Sequence, residues 1–214
     1  MARPPKSNNQ RPRRDEILDE ATRLFAERGY EGASMADLAE AVGMRKASLF
    51  YHFASKEVLY TAVLDRLLVS LREAILTAAA TEGTFEVRLD ALSDGVTGVL
   101  GSQPFAARLL LREVMDWGPV IRGNLAESLT AVLNAARAFA EEGQKEGVFA
   151  EGDPNQLILS ILGVYFLPFA VTGLTSRMTG REAYEPELVE ERRAAARLHT
   201  RSVAFARAQK AAQQ

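Results

Sequence analysis

Helical periodicity runs through nearly the whole chain, and this feature restricts the fold more than any other. Apolar residues recur at intervals of three and four, as at Ile17, Ala21 and Leu24, and no strictly alternating run bounded by hairpin turns is found. Ala and Leu, both strong helix formers, supply 34 and 26 of the 214 residues. The sequence therefore predicts an all-α protein.

Turn residues divide the predicted helices into two groups. Gly29 and Gly43 end the first two helices, a third runs from Arg45 to about Tyr51, and a fourth runs from Lys56 to about Ala80. Longer helices are predicted over 84–102, 105–117, 120–146, 154–176 and 186–209. We expect a disordered arm over 1–14, a three-helix domain over 15–62, a larger helical domain over 63–209 and a disordered tail over 210–214.

Composition excludes several classes of chemistry. The chain has no cysteine, which rules out disulfides, thiol catalysis and cysteine-ligated metal centres. Its two histidines, His52 and His199, are too few for a multi-histidine metal centre, and we expect no cofactor. The first residues lack the apolar core of a signal peptide, so the expected location is the cytoplasm.

Charge is distributed unevenly although the net charge is only −2. The first fourteen residues carry basic side chains and no acid, which suggests an arm that binds a polyanion, although this segment taken alone favours a merely solvated tail. The basic residues are Arg3, Lys6, Arg11, Arg13 and Arg14. Residues 15–62 hold more acidic than basic side chains. The overall charge therefore does not indicate nucleic-acid binding, and only the positions of individual basic residues can indicate it.

Three residues with a defined spacing predict a helix-turn-helix. Ala39 is small enough for a second helix to cross nearby, Gly43 tolerates a positive φ in the turn, and Leu49 anchors the second helix to the first. Ser34, with Asp37 three residues later, resembles a capping box at the start of the first of these helices. An ordinary corner between two helices with a solvated face is the alternative.

The stretch from Met44 to Lys56 contains three basic residues and no acid. Arg45, Lys46 and Ser48 stand at the start of the second helix, where a recognition helix meets base edges in the major groove. Tyr51, His52 and Lys56, together with Ser34 and the backbone amides beside it, are suited to phosphate contacts.

In these residues the sequence resembles the TetR family of transcriptional regulators. The resemblance runs from Arg14 to about Leu64 and is carried by Phe25-Ala26-Glu27-Arg28-Gly29-Tyr30, Gly32-Ala33-Ser34, Leu38-Ala39, Val42-Gly43, Ala47-Ser48-Leu49-Phe50-Tyr51-His52-Phe53 and Ser55-Lys56-Glu57-Val58-Leu59. It departs from the family pattern at Phe50, where tyrosine is usual, and at Ala47, where glycine or proline is frequent.

The resemblance implies an all-helical homodimer with N-terminal DNA-binding domains and a C-terminal ligand-binding bundle. A two-fold dimer would bind a palindromic operator in double-stranded DNA, and a small organic effector would release the repressor from it. The residues expected to contact DNA are Ser34, Arg45, Lys46, Ala47, Ser48, Phe50, Tyr51, His52 and Lys56.

The run from Pro154 to Ser176 is 23 residues long and carries no charge. Its length would suffice for a bilayer, but its polar, glycine and proline residues favour a doubly buried helix that packs on its own bundle and on a second subunit, so no membrane partner is expected. The resemblance implies that the last two helices form the dimer interface, for which we expect Leu188, Ala195, Leu198, Ser202 and Phe205 on the final helix.

The central helices are expected to enclose a mainly apolar pocket for the effector. Its predicted lining is Phe105, Glu113, Trp117, Phe139 and Tyr165, with Glu113 as a polar contact for the ligand. A buried ion pair between Glu113 and an arginine is the alternative for that carboxylate. The helix from Lys56 to Ala80 is the expected lever between effector and DNA.

Two other classes of function remain to be weighed. A helical enzyme would use Glu113 and His199, but the sequence lacks a nucleophile–base pair, a metal set and a phosphate-binding glycine loop. A helical interaction module without DNA binding is the second.

Overall fold

A computed structural model describes residues 13–116 and 118–205 of the chain. These residues form helices and irregular segments with no strand, which confirms the predicted all-α fold. The chain divides into two compact units between Val63 and Leu64.

The first unit holds three short-to-medium helices and the start of a fourth. They are α1 (Arg13–Gly32), α2 (Met35–Ala41), α3 (Lys46–His52) and α4 (Lys56–Ala79). The expected stop at Gly29 is present as a kink within α1, because this glycine has φ 74° and ψ 171°. The largest fully buried side chains of the unit are Ile17, Phe25, Leu38, Leu49, Phe53 and Leu59.

The second unit contains the rest of α4 and seven further helices among its described residues. They are α5 (Phe85–Ser102), α6 (Ala106–Asp116), α7 (Pro119–Arg122), α8 (Ala126–Lys145), α9 (Pro154–Ala170), α10 (Thr172–Thr179) and α11 (Pro186–Phe205). Helix α5 packs against α11, and Asp94 with Arg197 forms one ion pair between them. The Arg88 guanidinium joins α5 to α8 through a two-pronged contact with the Glu142 carboxylate, with both N–O distances 2.8 Å.

The prediction of a single helix over 154–176 is wrong, because two helices occupy this segment. The chain bends by 78° between α9 and α10, and the break falls at Val171. Pro168 has no N–H to donate, so the carbonyl of Val164 loses its bond within the helix. The Arg192 guanidinium of α11 donates to that carbonyl instead, at 2.5 Å. The Thr175 hydroxyl donates to the Pro168 carbonyl at 2.9 Å and holds the bend from the other side.

No single helix within residues 13–116 and 118–205 is both long and apolar enough to cross a bilayer. Only α9 and α10 taken together reach that length and composition, and their sharp bend separates them.

Candidate DNA-binding surface and ligand cavity

Helices α2 and α3 meet in the geometry expected of a helix-turn-helix. Ala39 and Leu49 are both buried, with Leu49 completely inaccessible. Gly43 has φ 63°, a left-handed conformation that strains other residues. The backbone N–H of Met44 donates to the Ala39 carbonyl at 2.8 Å and closes the turn. These contacts fix the direction in which α3 leaves the turn.

The outer face of α3 is almost entirely exposed. Its exposed side chains are Arg45, Lys46, Ala47, Ser48, Phe50 and Tyr51. Tyr51 is the most accessible of them, at 89%. Leu49 and Phe53 are buried and hold the helix in place through apolar contacts. The polar side chains of the helix are therefore not needed for packing.

Aromatic rings on α3 lie beside Lys46 and His52. The Lys46 ammonium is 5.9 Å from the centre of the Phe50 ring. The rings of Tyr51 and His52 contact each other edge to face, with centroids 5.7 Å apart. His52 is half-buried at the end of the helix. Because residue 50 is phenylalanine, the hydroxyl that is usual in the family pattern at this position is absent. The phenol of the neighbouring Tyr51 is open to solvent.

Ser34 caps α2 in the predicted capping box. The Asp37 backbone N–H donates to the Ser34 hydroxyl at 3.1 Å, and the Ser34 N–H donates to the Asp37 carboxylate at 3.0 Å. The Ser34 hydroxyl also donates to that carboxylate at 2.6 Å. These bonds, with the Arg28 guanidinium 3.4 Å away, lower the pKa of Asp37 below its ordinary value. Ser34 thus has a structural duty besides its expected phosphate contact.

Lys56 also has a structural duty that the sequence analysis missed. Its ammonium donates to the Tyr30 carbonyl at 2.8 Å and lies 4.2 Å from the centre of the Tyr30 ring. This contact ties the first residue of α4 to the end of α1. An ammonium has three N–H donors, so the bond leaves two for a phosphate.

The second unit encloses a cavity of about 530 Å³ between α4, α5, α6, α8 and α9. This volume lies within the usual range for small-molecule sites. Each helix supplies aliphatic side chains to the wall, including Leu71, Leu92, Leu110, Ala136 and Ile158. The wall contains no charged side chain among the residues that the structure describes, and Tyr165 alone of its side chains carries a polar atom.

The Tyr165 hydroxyl is bound away from the cavity by two buried side chains. The Thr200 hydroxyl donates to it at 3.0 Å, and the phenol shares a hydrogen bond of 2.7 Å with the Ser93 hydroxyl. Burial raises the pKa of Tyr165 above its ordinary value, against the opposing effect of these two bonds. The cavity wall therefore offers hydrocarbon contact and almost no hydrogen bonding.

Of the five residues predicted to line the pocket, two line the cavity, two do not, and one is not described by the structure. Phe139 and Tyr165 line the cavity. Phe105 does not, because its ring lies against Tyr184 at 5.7 Å. Glu113 does not line it either, and its carboxylate accepts the N–H of Ile121 at 3.2 Å. Trp117 lies outside the described residues.

Most of the lining was not predicted, because the sequence analysis weighted aromatic residues. The lining residues of α4 and α5 are leucine, isoleucine and valine at i, i+3 and i+7, as at Leu68, Leu71 and Ile75. This spacing could have identified them as one buried helix face. This spacing is also that of ordinary core residues, so it indicates burial without indicating a cavity.

The residues predicted for the dimer interface differ in exposure. Leu198 and Ser202 are exposed on α11, whereas Leu188 and Ala195 are half-buried. Phe205 is half-buried too, and its ring contacts Phe149 of the same unit at 5.8 Å.

A helix-turn-helix with an exposed basic face, followed by a helical unit around a large apolar cavity, defines a helix-turn-helix DNA-binding protein with a second helical domain. Residues 17–63 match the family described as bacterial regulatory proteins, tetR family, and residues 86–197 match the tetracyclin repressor-like C-terminal domain. The chain belongs to the TetR family and is a helix-turn-helix transcriptional regulator.

Known relatives agree with this assignment. The chain is 30% identical over 175 residues to the HTH-type transcriptional regulator RutR of Escherichia coli (strain K12), covering 75% of this chain and 79% of RutR. It is 49% identical over 47 residues to the biofilm operon icaADBC negative transcriptional regulator IcaR of Staphylococcus aureus (strain Newman), covering 22% and 25%. The crystal structure of the TetR family regulator PfmR from Thermus thermophilus is similar, with TM-score 0.68, 25% identity and coverage of 88% and 96%.

Proposed function

We propose that the protein is a homodimeric repressor that binds a palindromic operator and leaves it when a mainly apolar molecule fills the cavity. The observation that carries the DNA-binding part is the exposed, acid-free face of α3 on its buried Leu49 anchor. IcaR, which is 49% identical to this chain over 47 residues, is a negative transcriptional regulator, which supports repression.

The exposed side chains of α3 divide by the chemistry they offer. Arg45 and Lys46 donate to guanine acceptors, and Ser48 donates or accepts, so these three read bases in the major groove. Ser34, Tyr51, His52 and Lys56 hold phosphates. Ala47 and Phe50 lie between the two sets and make the close apolar contacts.

A DNA-binding measurement tests these roles. The probe is the duplex that flanks the protein's own gene, compared with a scrambled duplex of equal length. Arg45→Ala and Lys46→Ala should each cost about 1–3 kcal/mol of binding and relax specificity at one position. If both variants keep the full preference for the natural duplex, the assignment of base contacts is wrong.

Exposed apolar side chains on α9, α10 and α11 support the proposed dimer. They are Leu167, Leu174, Met178 and Leu198, and exposure of so many on neighbouring helices is unfavourable in a monomer. Helix α11 already packs one face inward through Ala196, Thr200 and Ala204, so its outer face is left for a second copy.

Sedimentation of full-length variants tests the dimer. Leu198→Glu should shift the protein to monomer, because the substitution places a charge in the proposed interface. Leu76→Glu is the matched control, since Leu76 is exposed on α4 outside that interface. A stable folded monomer in the unmodified protein contradicts the proposal.

The effector part of the proposal follows from the cavity of this chain. AibR, a protein of similar fold, was solved in complex with isovaleryl coenzyme A and operator DNA, with TM-score 0.66, 20% identity and coverage of 90% and 98%. Likeness at this level concerns the fold alone. The aliphatic wall itself favours a lipophilic effector over a sugar or nucleotide.

Release from DNA needs a difference in affinity between two states. To move operator occupancy from 99:1 to 1:99, the effector must prefer the non-binding state by about 5.5 kcal/mol. Helix α4 is continuous from Lys56 to Ala79 and contributes Leu68, Leu71 and Ile75 to the wall, so we propose it as the element that responds to filling.

A cavity-blocking variant tests the release. Dodecanol, a neutral apolar probe, should lower the affinity of the unmodified protein for the duplex. Ala136→Trp fills the cavity and should abolish this response, and the milder Ala136→Leu should reduce it. Ala138→Trp is the control, because Ala138 is exposed on the same helix. An unchanged response in both Ala136 variants would place the effector elsewhere.

A binding role fits the remaining candidates better than catalysis. The Glu113 carboxylate is engaged with the Ile121 backbone, and His199 is exposed on α11. We therefore propose that the protein acts on DNA in the cytoplasm as a regulator and not as an enzyme.

A further inference from the structure

The hydrocarbon wall of the cavity limits which part of a ligand it can hold. Tyr165 has already used its hydroxyl on Ser93 and Thr200. A polar group placed inside would lose its hydrogen bonds to water without replacement, at a considerable cost in free energy. The polar end of any amphiphilic ligand must therefore lie at the opening.

The exposed part of the cavity wall lies on α8 and α9. Leu133 of α8 and Leu159 of α9 both line the cavity, and both remain exposed, at 42% and 61%. A buried wall would have covered them. A hydrocarbon chain inside the cavity can therefore reach solvent between these two leucines.

A cationic side chain stands one helical turn from Leu133, and its amide partner stands one turn from Leu159. Arg137 follows Leu133 by four residues on α8, and its guanidinium donates to the Asn155 side chain at 2.7 Å. Asn155 precedes Leu159 by four residues on α9, so the Arg137–Asn155 contact crosses the same seam.

The partner of Arg137 leaves its charge available. Asn155 is a neutral amide, and its bond uses one of the five N–H donors of the guanidinium. Asp153 bonds to Asn155 and not to Arg137, because one of its carboxylate oxygens accepts both the backbone and the side-chain N–H of Asn155. By contrast, Arg197 and Arg201 in the same unit are paired with aspartates.

We propose that the effector is an anionic amphiphile, with its hydrocarbon chain in the cavity and its negative end bound by Arg137 at the opening. This inference rests on the proposed effector role of the cavity. Arg137 then determines specificity, because it separates anionic from neutral molecules with the same chain. Each methylene buried in the cavity adds to the affinity, so the chain supplies affinity and the arginine supplies selection.

Calorimetric titration of the full-length protein without DNA tests this assignment. The probes share one chain: dodecanoate, dodecyl phosphate, dodecanoyl coenzyme A and dodecanol, each below its micelle concentration. The unmodified protein should prefer the anions to dodecanol. Comparison of the free acid with the thioester shows whether the anion is a terminal carboxylate or a phosphate further from the chain.

Three variants separate the arginine from net charge. Arg137→Gln should weaken binding of the preferred anion about fivefold and leave dodecanol unchanged. Arg137→Lys should recover most of the loss, since it keeps the positive charge. Arg177→Gln, which removes an exposed arginine on α10, should have no effect.

Equal affinity for dodecanoate and dodecanol in the unmodified protein overturns the proposal. An equal loss for both probes in Arg137→Gln, or binding of neither probe, also overturns it. Arg137-dependent binding that leaves the affinity for DNA unchanged supports the anionic site and contradicts the proposed release instead.

Discussion

Helices α3 and α9 place their functional side chains in opposite ways. The seven residues of α3 bury only Leu49 and direct their polar side chains outward. The seventeen residues of α9 carry no charge and contribute Ile158, Leu162 and Tyr165 to the wall of the cavity. In the proposed function, α3 acts through the side chains that it exposes, and α9 acts through the cavity that it helps to enclose.

Because of this difference, substitutions on the outer face of α3 can alter function without altering stability, whereas substitutions around the cavity alter both. Side chains on the outer face of α3 can change with little effect on folding, because they make few packing contacts. Side chains around the cavity belong to the core of their unit, so a change there alters packing and ligand fit together. The predictions below test this separation.

The largest expected effect comes from the one buried residue of α3. Leu49→Ala should destabilise the protein by about 2–5 kcal/mol, because it leaves a cavity under the recognition helix. Ser48→Ala, on the exposed face of the same helix, should cost much less. Denaturation followed by circular dichroism measures both, and equal losses would contradict the comparison.

Tyr165 offers a change that affects stability without affecting ligand binding. Tyr165→Phe should cost about 1–3 kcal/mol, since Ser93 and Thr200 lose their shared partner. Affinity for dodecanoate should stay within about twofold, because the lost hydroxyl is turned away from the cavity. A large loss of affinity would show that the phenol binds the ligand directly.

The same tyrosine predicts a dependence on alkaline pH. Burial raises the pKa of Tyr165, so the folded protein holds this proton more tightly than the unfolded chain does. Its contribution to stability is complete below the ordinary tyrosine pKa of about 10 and is lost as the pH rises above it. The fall should be shallower in Tyr165→Phe, as measured by denaturation between neutral and alkaline pH.

Lys56 tests whether one residue can serve both structure and DNA. Lys56→Ala should lower stability by about 1–2 kcal/mol through loss of the Tyr30 contact. It should also weaken binding to all duplexes evenly and reduce the salt dependence by about one ion. A stability loss with an unchanged salt dependence would leave Lys56 a structural residue only.

The smallest expected effect is a gain. Phe50→Tyr restores the hydroxyl of the family pattern on a partly exposed ring, and it should strengthen DNA binding by about 0.5–1.5 kcal/mol through a phosphate contact. Stability should not change. Weaker binding would indicate that the bare ring of Phe50 packs against the DNA.

The contrast between the two helices also explains what the sequence could predict. The turn at Gly43 and the anchor at Leu49 depend on local spacing and special backbone geometry, which the sequence states directly. The cavity depends on how five helices pack, and its leucines are indistinguishable in sequence from leucines of a filled core. The bend after Pro168 was missed because a proline within an apolar helix is compatible with either a kink or a break.

The backbone hydrogen bond that α9 lacks at Pro168 has a genetic consequence. Arg192→Ala alone leaves the Val164 carbonyl without its partner, and Pro168→Ala alone makes the backbone N–H and Arg192 compete for it. In the double variant the helix satisfies its own carbonyl. Pro168→Ala should therefore act as a suppressor of Arg192→Ala, so that a selection for restored repression in that mutant would recover changes at a residue far away in sequence.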